Sequence, residues 1–154
     1  MNLANLYNQL GRNPEAERVL RNSIEKAPKE GELYYSLGLL LAEENRLQEA
    51  EASLAKAAEL LPRRANVRYN RGLALQQLGR RAEAEKQLLS ASQLEPENPK
   101  ILNALAIFYL QDQQPKQALP FAKQLVKMFP AAPGPSQLLQ KIQQELSSKE
   151  KKIR

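Results

Sequence analysis

The sequence contains no cysteine, no histidine and no tryptophan among its 154 residues. The chain therefore lacks thiol nucleophiles, disulfides, the usual zinc and haem ligands and the side chain that most often serves as a general base. Aromatic residues make up only 5% of the chain, although 42% of it is hydrophobic. We expect a core built mainly from leucine and alanine, with no cofactor and no metal.

Long apolar runs are also absent. No stretch approaches the length of a membrane span, and residues 1–20 lack the basic and apolar regions of a signal peptide. We therefore expect a soluble protein, cytoplasmic or periplasmic according to the parent protein. The net charge is +6, but the last eight residues contain four basic side chains and one acidic one. Such an end is more typical of a disordered, solubilising tail than of a nucleic-acid-binding arm.

A single 34-residue period organises what is present. Small residues and prolines recur with this period, at Pro28, Pro62, Pro96 and Pro130, at Ala16, Ala50, Ala84 and Ala118, and at Gly38 and Gly72. Such regularity is typical of a repeat protein. In residues 31–64, apolar side chains at helical spacing predict one helix before the turn at residues 44–46 and a second that ends before Pro62. Each period thus predicts two antiparallel helices that approach closely at the small residues.

With these positions the sequence resembles the tetratricopeptide repeat (TPR) family. The family pattern is read in residues 31–64 as Tyr34, Leu37, Gly38, Leu41, Ala50, Leu54, Ala57 and Pro62. The resemblance covers residues 1–132 and implies an all-α fold, a right-handed superhelical solenoid of antiparallel helix pairs. Arg68 and Arg71 depart from the pattern, which has large apolar residues there. We expect their stems to pack while the guanidinium groups reach water or a carboxylate.

The register predicts about four repeats, over residues 1–30, 31–64, 65–98 and 99–132. The first begins inside its first helix, so we expect a fragment of a larger TPR protein. Leu-Gly-Arg turns such as residues 78–80 resemble those of bacterial members. After Pro130, residues 133–148 are predicted to form a helix similar to the family's capping helix, and residues 149–154 a basic, disordered tail.

The resemblance also implies a binding groove, because in this family the first helix of each pair lines a concave surface. Carried over position by position, the predicted groove residues are Asn5, Asn8, Tyr35, Leu39, Tyr69, Asn70, Leu73, Gln77, Lys100, Asn103 and Ile107. Amides can bond both groups of a peptide backbone, and tyrosines add flat apolar area. We predict that a peptide or helical segment of a partner binds there. For Leu39, Leu73 and Ile107, packing between neighbouring first helices is an equally good interpretation.

The carboxylate clamp with which some family members hold acidic chaperone tails is not expected. Asn70 and Lys100 match its positions, whereas Tyr35, Leu39 and Ala104 do not.

Arginines cluster in the third repeat. Arg63, Arg64, Arg68 and Arg71 form a candidate patch for an acidic partner or a phosphate, since guanidinium groups bind both in bidentate fashion. A solvated edge is the favoured interpretation.

Protein or peptide binding by a non-catalytic scaffold is therefore the predicted function. No phosphate-binding loop, metal cluster or nucleophile–base pair appears in the sequence. Self-association is the second hypothesis, in which a repeat end carrying Leu3, Leu6 and Leu10 forms a homodimer. Nucleic-acid binding is a weaker third hypothesis that rests on the arginine cluster and the tail.

Overall fold

The structure is a computed structural model that describes residues 13–153, apart from the side chains of residues 150, 152 and 153. This part of the chain contains helices and no strands, which confirms the all-α class. The helices are α1 (Asn13–Lys26), α2 (Gly31–Glu43), α3 (Leu47–Leu60), α4 (Ala65–Gln77), α5 (Arg81–Leu94), α6 (Pro99–Gln111), α7 (Pro115–Met128) and α8 (Pro133–Ile153).

The helix boundaries repeat with the period read from the sequence. We call α2, α4, α6 and α8 the A helices, which begin at residues 31, 65, 99 and 133. The B helices α1, α3, α5 and α7 begin at residues 13, 47, 81 and 115 and end two residues before a proline of the series. Pro115 opens α7, because a first-turn residue needs no hydrogen-bonded N–H.

The turn from each A helix to its B helix has one geometry. Its central residue is Asn45, Gly79 or Gln113, with φ of 59°, 74° and 55° respectively. The next N–H then bonds a carbonyl five residues earlier, for example Arg46 N–H to Leu41 at 2.9 Å, as in a Schellman motif. The turn therefore requires a left-handed residue, and glycine meets that requirement in only one of these three turns.

Small residues bring the paired helices together. A Cβ added at Gly38 would lie 2.7 Å from Leu54 Cγ, and one added at Gly72 would lie 2.8 Å from Leu88 Cγ. Both leucines are fully buried, so they have no room to withdraw. The predicted close approach at these glycines is confirmed.

The chain divides into two compact units, unit 1 (Met1–Leu94) and unit 2 (Glu95–Arg154). The sequence predicted one array over residues 1–132 without a division. The core of unit 1 is made of leucine and alanine with Val67, whereas the core of unit 2 also contains Phe108 and Tyr109.

Arginines and glutamates join neighbouring repeats in unit 1. Arg46, just before α3, donates to both oxygens of Glu17 on α1, at 2.6 and 3.1 Å, and to both oxygens of Glu49. One repeat later, Arg80 donates to both oxygens of Glu83 and reaches Glu51 on α3 at 3.2 Å. Each network ties the start of one B helix to the preceding B helix.

The C-terminal helix is longer than predicted. It begins at Pro133 but runs to Ile153, so the prediction of a disordered tail is wrong for residues 149–153. Lys149 explains part of the difference, because its ammonium group donates a hydrogen bond to the carbonyl of Gln113. Lysine, glutamate and serine also follow one another there without a helix-breaking residue.

Candidate functional site

The A helices of unit 1 present a row of partly buried side chains. Tyr35 and Leu39 lie on α2, and Tyr69 and Leu73 occupy the same positions one repeat later on α4. The residues beside them that form the core, such as Leu41 and Leu75, are no more than 1% exposed. The side chains of this row therefore expose apolar area that is not buried in the core.

Tyr35 and Asn70 form a pair that links α2 to α4. The Asn70 amide donates to the Tyr35 hydroxyl at 2.8 Å and to the carbonyl of Asn66 at 2.9 Å. Burial raises the pKa of the Tyr35 phenol, so the hydroxyl keeps its proton at neutral pH. Because the Tyr35 oxygen accepts from Asn70, its O–H remains a donor, and Asn70 Oδ1 remains an acceptor. A donor and an acceptor side by side match the two groups of a peptide unit.

The remaining predicted residues of the first repeats are Gln77, Asn5 and Asn8. Gln77 is the exposed last residue of α4. Asn5 and Asn8, together with Leu3, Leu6 and Leu10, lie outside the described residues.

In unit 2, the predicted residues Lys100, Asn103 and Ile107 line one side of a cleft. The opposite side is the C-terminal helix, which contributes Leu138 and Lys141. The cleft consists of two adjoining cavities of about 680 and 700 Å³, with Ile107, Leu138 and Lys141 common to both. We call this the α6–α8 cleft. The structure thus brings together three residues that the sequence had assigned to one groove.

The α8 side of this cleft was missed by sequence reasoning. The residues concerned are Gly134, Gln137, Leu138, Lys141 and Glu145. Because α8 begins at residue 133, these residues occupy the same positions in the fourth of these A helices as the predicted groove residues do in α2, α4 and α6. Extending the 34-residue register past Pro130 would have found them, but the helix was interpreted as a cap.

The arginine cluster is largely bound within the chain. Arg71, whose side chain is 22% exposed, donates to Glu51 from Nε and forms an ion pair through Nη2, at 2.9 and 2.8 Å. Arg64 pairs with Glu32, and Arg68 donates to the carbonyl of Pro62 at 3.1 Å. The predicted carboxylate is thus present for Arg71, whereas Arg68 binds a backbone oxygen. Of the four arginines, Arg63 is exposed and has no partner among the described side chains.

Metal-binding groups and membrane-crossing helices are both absent from residues 13–153. Acidic side chains in this range do not converge in groups of three that could hold a metal ion. None of the helices in the same range combines the length and hydropathy needed to cross a bilayer.

The chain was compared with protein families, curated proteins and solved structures. The family model described as "Tetratricopeptide repeat" matches residues 1–65 and 69–133. No sequence among the curated proteins gives a significant match. The structure of MamA from MSR-1 is 32% identical, with a TM-score of 0.72, 81% of this chain covered and 72% of that chain.

Two other solved structures extend the comparison. PilF of Pseudomonas aeruginosa is 26% identical, with a TM-score of 0.79 over 95% of this chain and 67% of its own. Another MamA crystal structure is 17% identical, with a TM-score of 0.81 over 98% of each chain. At that level of identity, the likeness concerns the fold alone.

Proposed function

Because the chain belongs to the tetratricopeptide repeat family, we propose that it is a non-catalytic scaffold that binds a peptide or helical segment of a partner protein. Proteins of this family are generally scaffolds without catalysis, and the fold implies protein partners. The finer part of the proposal is the site, which we assign to the A-helix side chains of the two units.

The observation that carries the proposal is the recurrence of partly exposed apolar side chains on the A helices. Leu39 and Leu73 occupy one position in unit 1, and Ile107 occupies the same position in unit 2. Their neighbours include amides and tyrosines that can bond a peptide backbone, as Tyr35 and Asn70 can. Apolar area beside paired donors and acceptors suits an extended peptide or an amphipathic helix.

A peptide-display selection on the full chain would test the proposal. Peptides that the chain enriches are synthesised, and their affinities are measured by fluorescence anisotropy for the wild type, Leu73→Ser and Tyr35→Ala. Each substitution removes apolar contact area, so we expect a loss of about tenfold in affinity with one or both variants.

Leu94→Ser is the matched control, because Leu94 is 37% exposed and lies at the end of the B helix α5. This variant should bind as the wild type does, and circular dichroism should show all variants folded. Peptides that lose the same affinity with Leu94→Ser as with Leu73→Ser would contradict an A-helix site.

Self-association is kept as the alternative, and light scattering after size-exclusion chromatography distinguishes it. A dimer that persists at high salt and disappears when Leu3, Leu6 or Leu10 is made polar would favour assembly through the repeat end. A monomer at all concentrations leaves the A-helix face free for a different protein.

A further inference from the structure

We infer that the α6–α8 cleft of unit 2 binds an amphipathic helix of a partner, with acidic side chains beside its apolar stripe. The inference deepens the proposed function, on which it rests, by choosing one site and one chemistry for the partner. It is carried by the length of the cleft, its apolar floor and two lysines that have no ion-pair partner among the described side chains.

The dimensions of the cleft suit a short helix. Its lining runs along α6 from Pro99 to Gln111 and on to Gln113. At 1.5 Å per residue this helix is about 20 Å long, so a partner helix of about 13 residues would fill the cleft. The two walls are α6 and α8, while α7 contributes part of the floor through Leu125.

The floor exposes apolar side chains to solvent. Ile107, Leu110 and Leu138 are only partly buried, and Phe129 is 41% exposed at one end of the cleft. Phe129 is one of two large apolar residues that stand out as exposed in the described chain. Exposed apolar area in a concave site gains free energy when an apolar face covers it.

The rim is positively charged. Lys100, Lys141 and Lys149 line the cleft, and Glu145 is the acidic residue among them. Among the side chains that the structure describes, Lys100 and Lys141 have no ion-pair partner, and Lys149 donates to a backbone carbonyl. Lys100 also lies in the first turn of α6, where the helix dipole disfavours a positive charge. The described part of the fold therefore gains no ion pair from these lysines. Acidic side chains of a partner could form such ion pairs.

Different classes of partner would contact the floor and the rim differently. A nucleic acid would bind the lysines but would leave the floor uncovered, since no aromatic platform beyond Phe129 lines the described cleft. An amphipathic acidic helix satisfies both the floor and the rim, which is the reason for choosing it.

The test uses three synthetic peptides, each long enough for about five helical turns and carrying one leucine stripe. The stripe is flanked by glutamate in the first peptide, by glutamine in the second and by lysine in the third. The full chain has no cysteine, so Gln137→Cys gives a single labelling site in the cleft for fluorescence titration. We expect the glutamate peptide to bind about tenfold more tightly than the glutamine peptide at low salt, and the lysine peptide to bind least.

Variants then locate the binding. Lys100→Glu with Lys141→Glu should weaken the glutamate peptide about tenfold and strengthen the lysine peptide. Lys123→Glu with Lys127→Glu makes the same change in net charge on α7, at exposed residues that do not line the cleft, and should alter little. Ile107→Ser should weaken all three peptides, because they share the apolar stripe.

Any one of several results would overturn the inference. The glutamine and glutamate peptides could bind equally, or the α7 reversal could act as strongly as the cleft reversal. A single-stranded oligonucleotide could also displace the peptide at equal concentration, which would favour nucleic acid. If binding instead required Leu73 and not Ile107, the cleft assignment would be lost while the scaffold proposal survived. If display-selected peptides were insensitive to both residues, the scaffold proposal would fail as well.

Discussion

In unit 1, the B helices α3 and α5 are each preceded by an arginine that binds glutamates of two helices. Arg46 and Arg80 occupy the same position in successive repeats, and the residue at that position in unit 2 is Gln114. Gln114 donates instead to Asp112 two residues earlier, at 2.8 Å. The turn keeps its geometry in all three places, so the arginines are not required for the turn itself. They join one repeat to the next.

The interiors of the two units also differ at equivalent positions. Unit 1 pairs Gly72 on its A helix with Leu88 on its B helix, whereas unit 2 has Ala106 and Ala122 at those positions, both fully buried. Unit 2 adds aromatic contacts, with the Tyr109 ring stacked on Phe121 at a centroid distance of 5.9 Å. The two units thus distribute side-chain volume differently between their facing helices, and unit 2 places part of it in aromatic rings. The helix boundaries nevertheless repeat with the same period.

The two units also differ in the intramolecular partners of their charged side chains. Most arginines described in unit 1 are bound by carboxylates or carbonyls of the same unit, and this stabilises the unit but neutralises its surface. Lys100 and Lys141 of unit 2 have no such partners within the described residues. A charged surface without intramolecular partners can bind a ligand without first breaking an ion pair.

We expect the largest effect on stability when residues 72 and 88 of unit 1 are replaced by the alanines that unit 2 has at the equivalent positions. Leu88→Ala should lower the free energy of unfolding by about 2–5 kcal/mol, because it leaves a cavity. Gly72→Ala should lower it by about 1–3 kcal/mol, because its Cβ would lie 2.8 Å from Leu88 Cγ. The double variant reproduces the alanine pair of unit 2 and should lose less than the sum of the two. Urea unfolding of all four proteins gives the coupling energy.

If the losses in free energy of unfolding of the two single variants simply added in the double variant, the two residues would not be coupled by their packing. Ala106→Gly is the control in unit 2, where Ala122 occupies the position equivalent to Leu88. It should cost about 1 kcal/mol, the usual difference between alanine and glycine inside a helix.

A smaller effect is expected from breaking the buried ion pair of unit 1. Arg71→Met should lower the free energy of unfolding by about 1–3 kcal/mol, because the Glu51 side chain is only 11% exposed and loses its nearer partner. Arg80 remains 3.2 Å from Glu51 and limits the loss. Thermal and urea unfolding measure the difference.

Arg68→Met is the matched control for that prediction. Arg68 donates only to a backbone carbonyl, so its removal leaves no buried charge and should cost less. Adding Glu51→Gln to Arg71→Met should recover part of the stability. If Arg68→Met were as destabilising as Arg71→Met, the arginine stems would matter more than the ion pair.

Most of the fold could be predicted from the sequence, because helix ends depend on local residues. Prolines two residues past each B helix and small residues at 34-residue spacing determined the helices and their pairing. The length of α8 could not be predicted in this way. Residues 149–153 contain no helix breaker, but the charged run was interpreted as a tail, and the bond from Lys149 to a carbonyl 36 residues earlier is a contact that no local pattern encodes.

The candidate site was only partly predictable, since it depends on which residues are bound elsewhere. The positions of Tyr35 and Asn70 followed from the family register, but their hydrogen bond depends on the distance between α2 and α4. Likewise, sequence alone could not separate Arg71, which is held by Glu51, from Arg63, which is exposed. Leu138 and Lys141 were missed for a simpler reason, because the register was not continued into α8.

The smallest effect concerns the pH dependence of unit 1. Hydrogen bonds from Arg46 hold the pKa of the Glu17 and Glu49 carboxyls below their ordinary values. A carboxyl with a lowered pKa in the folded protein adds stability above its ordinary pKa of about 4.3, and this is lost as the pH falls through the lowered value. Arg46→Gln should therefore destabilise the protein slightly at pH 7, and by less as the pH falls through the lowered pKa values.

The controls for this pH effect extend the comparison to both units. Arg18→Gln removes an exposed arginine of α1 that has no ion-pair partner among the described side chains, and it should leave the pH profile unchanged. Lys141→Gln should do the same in unit 2, because no described carboxylate binds that lysine. Urea midpoints from pH 3 to pH 7 at low salt measure all three variants. A profile changed as much by Lys141→Gln as by Arg46→Gln would mean that unit 2 also relies on ion pairs, and its lysines would no longer be free for an acidic partner.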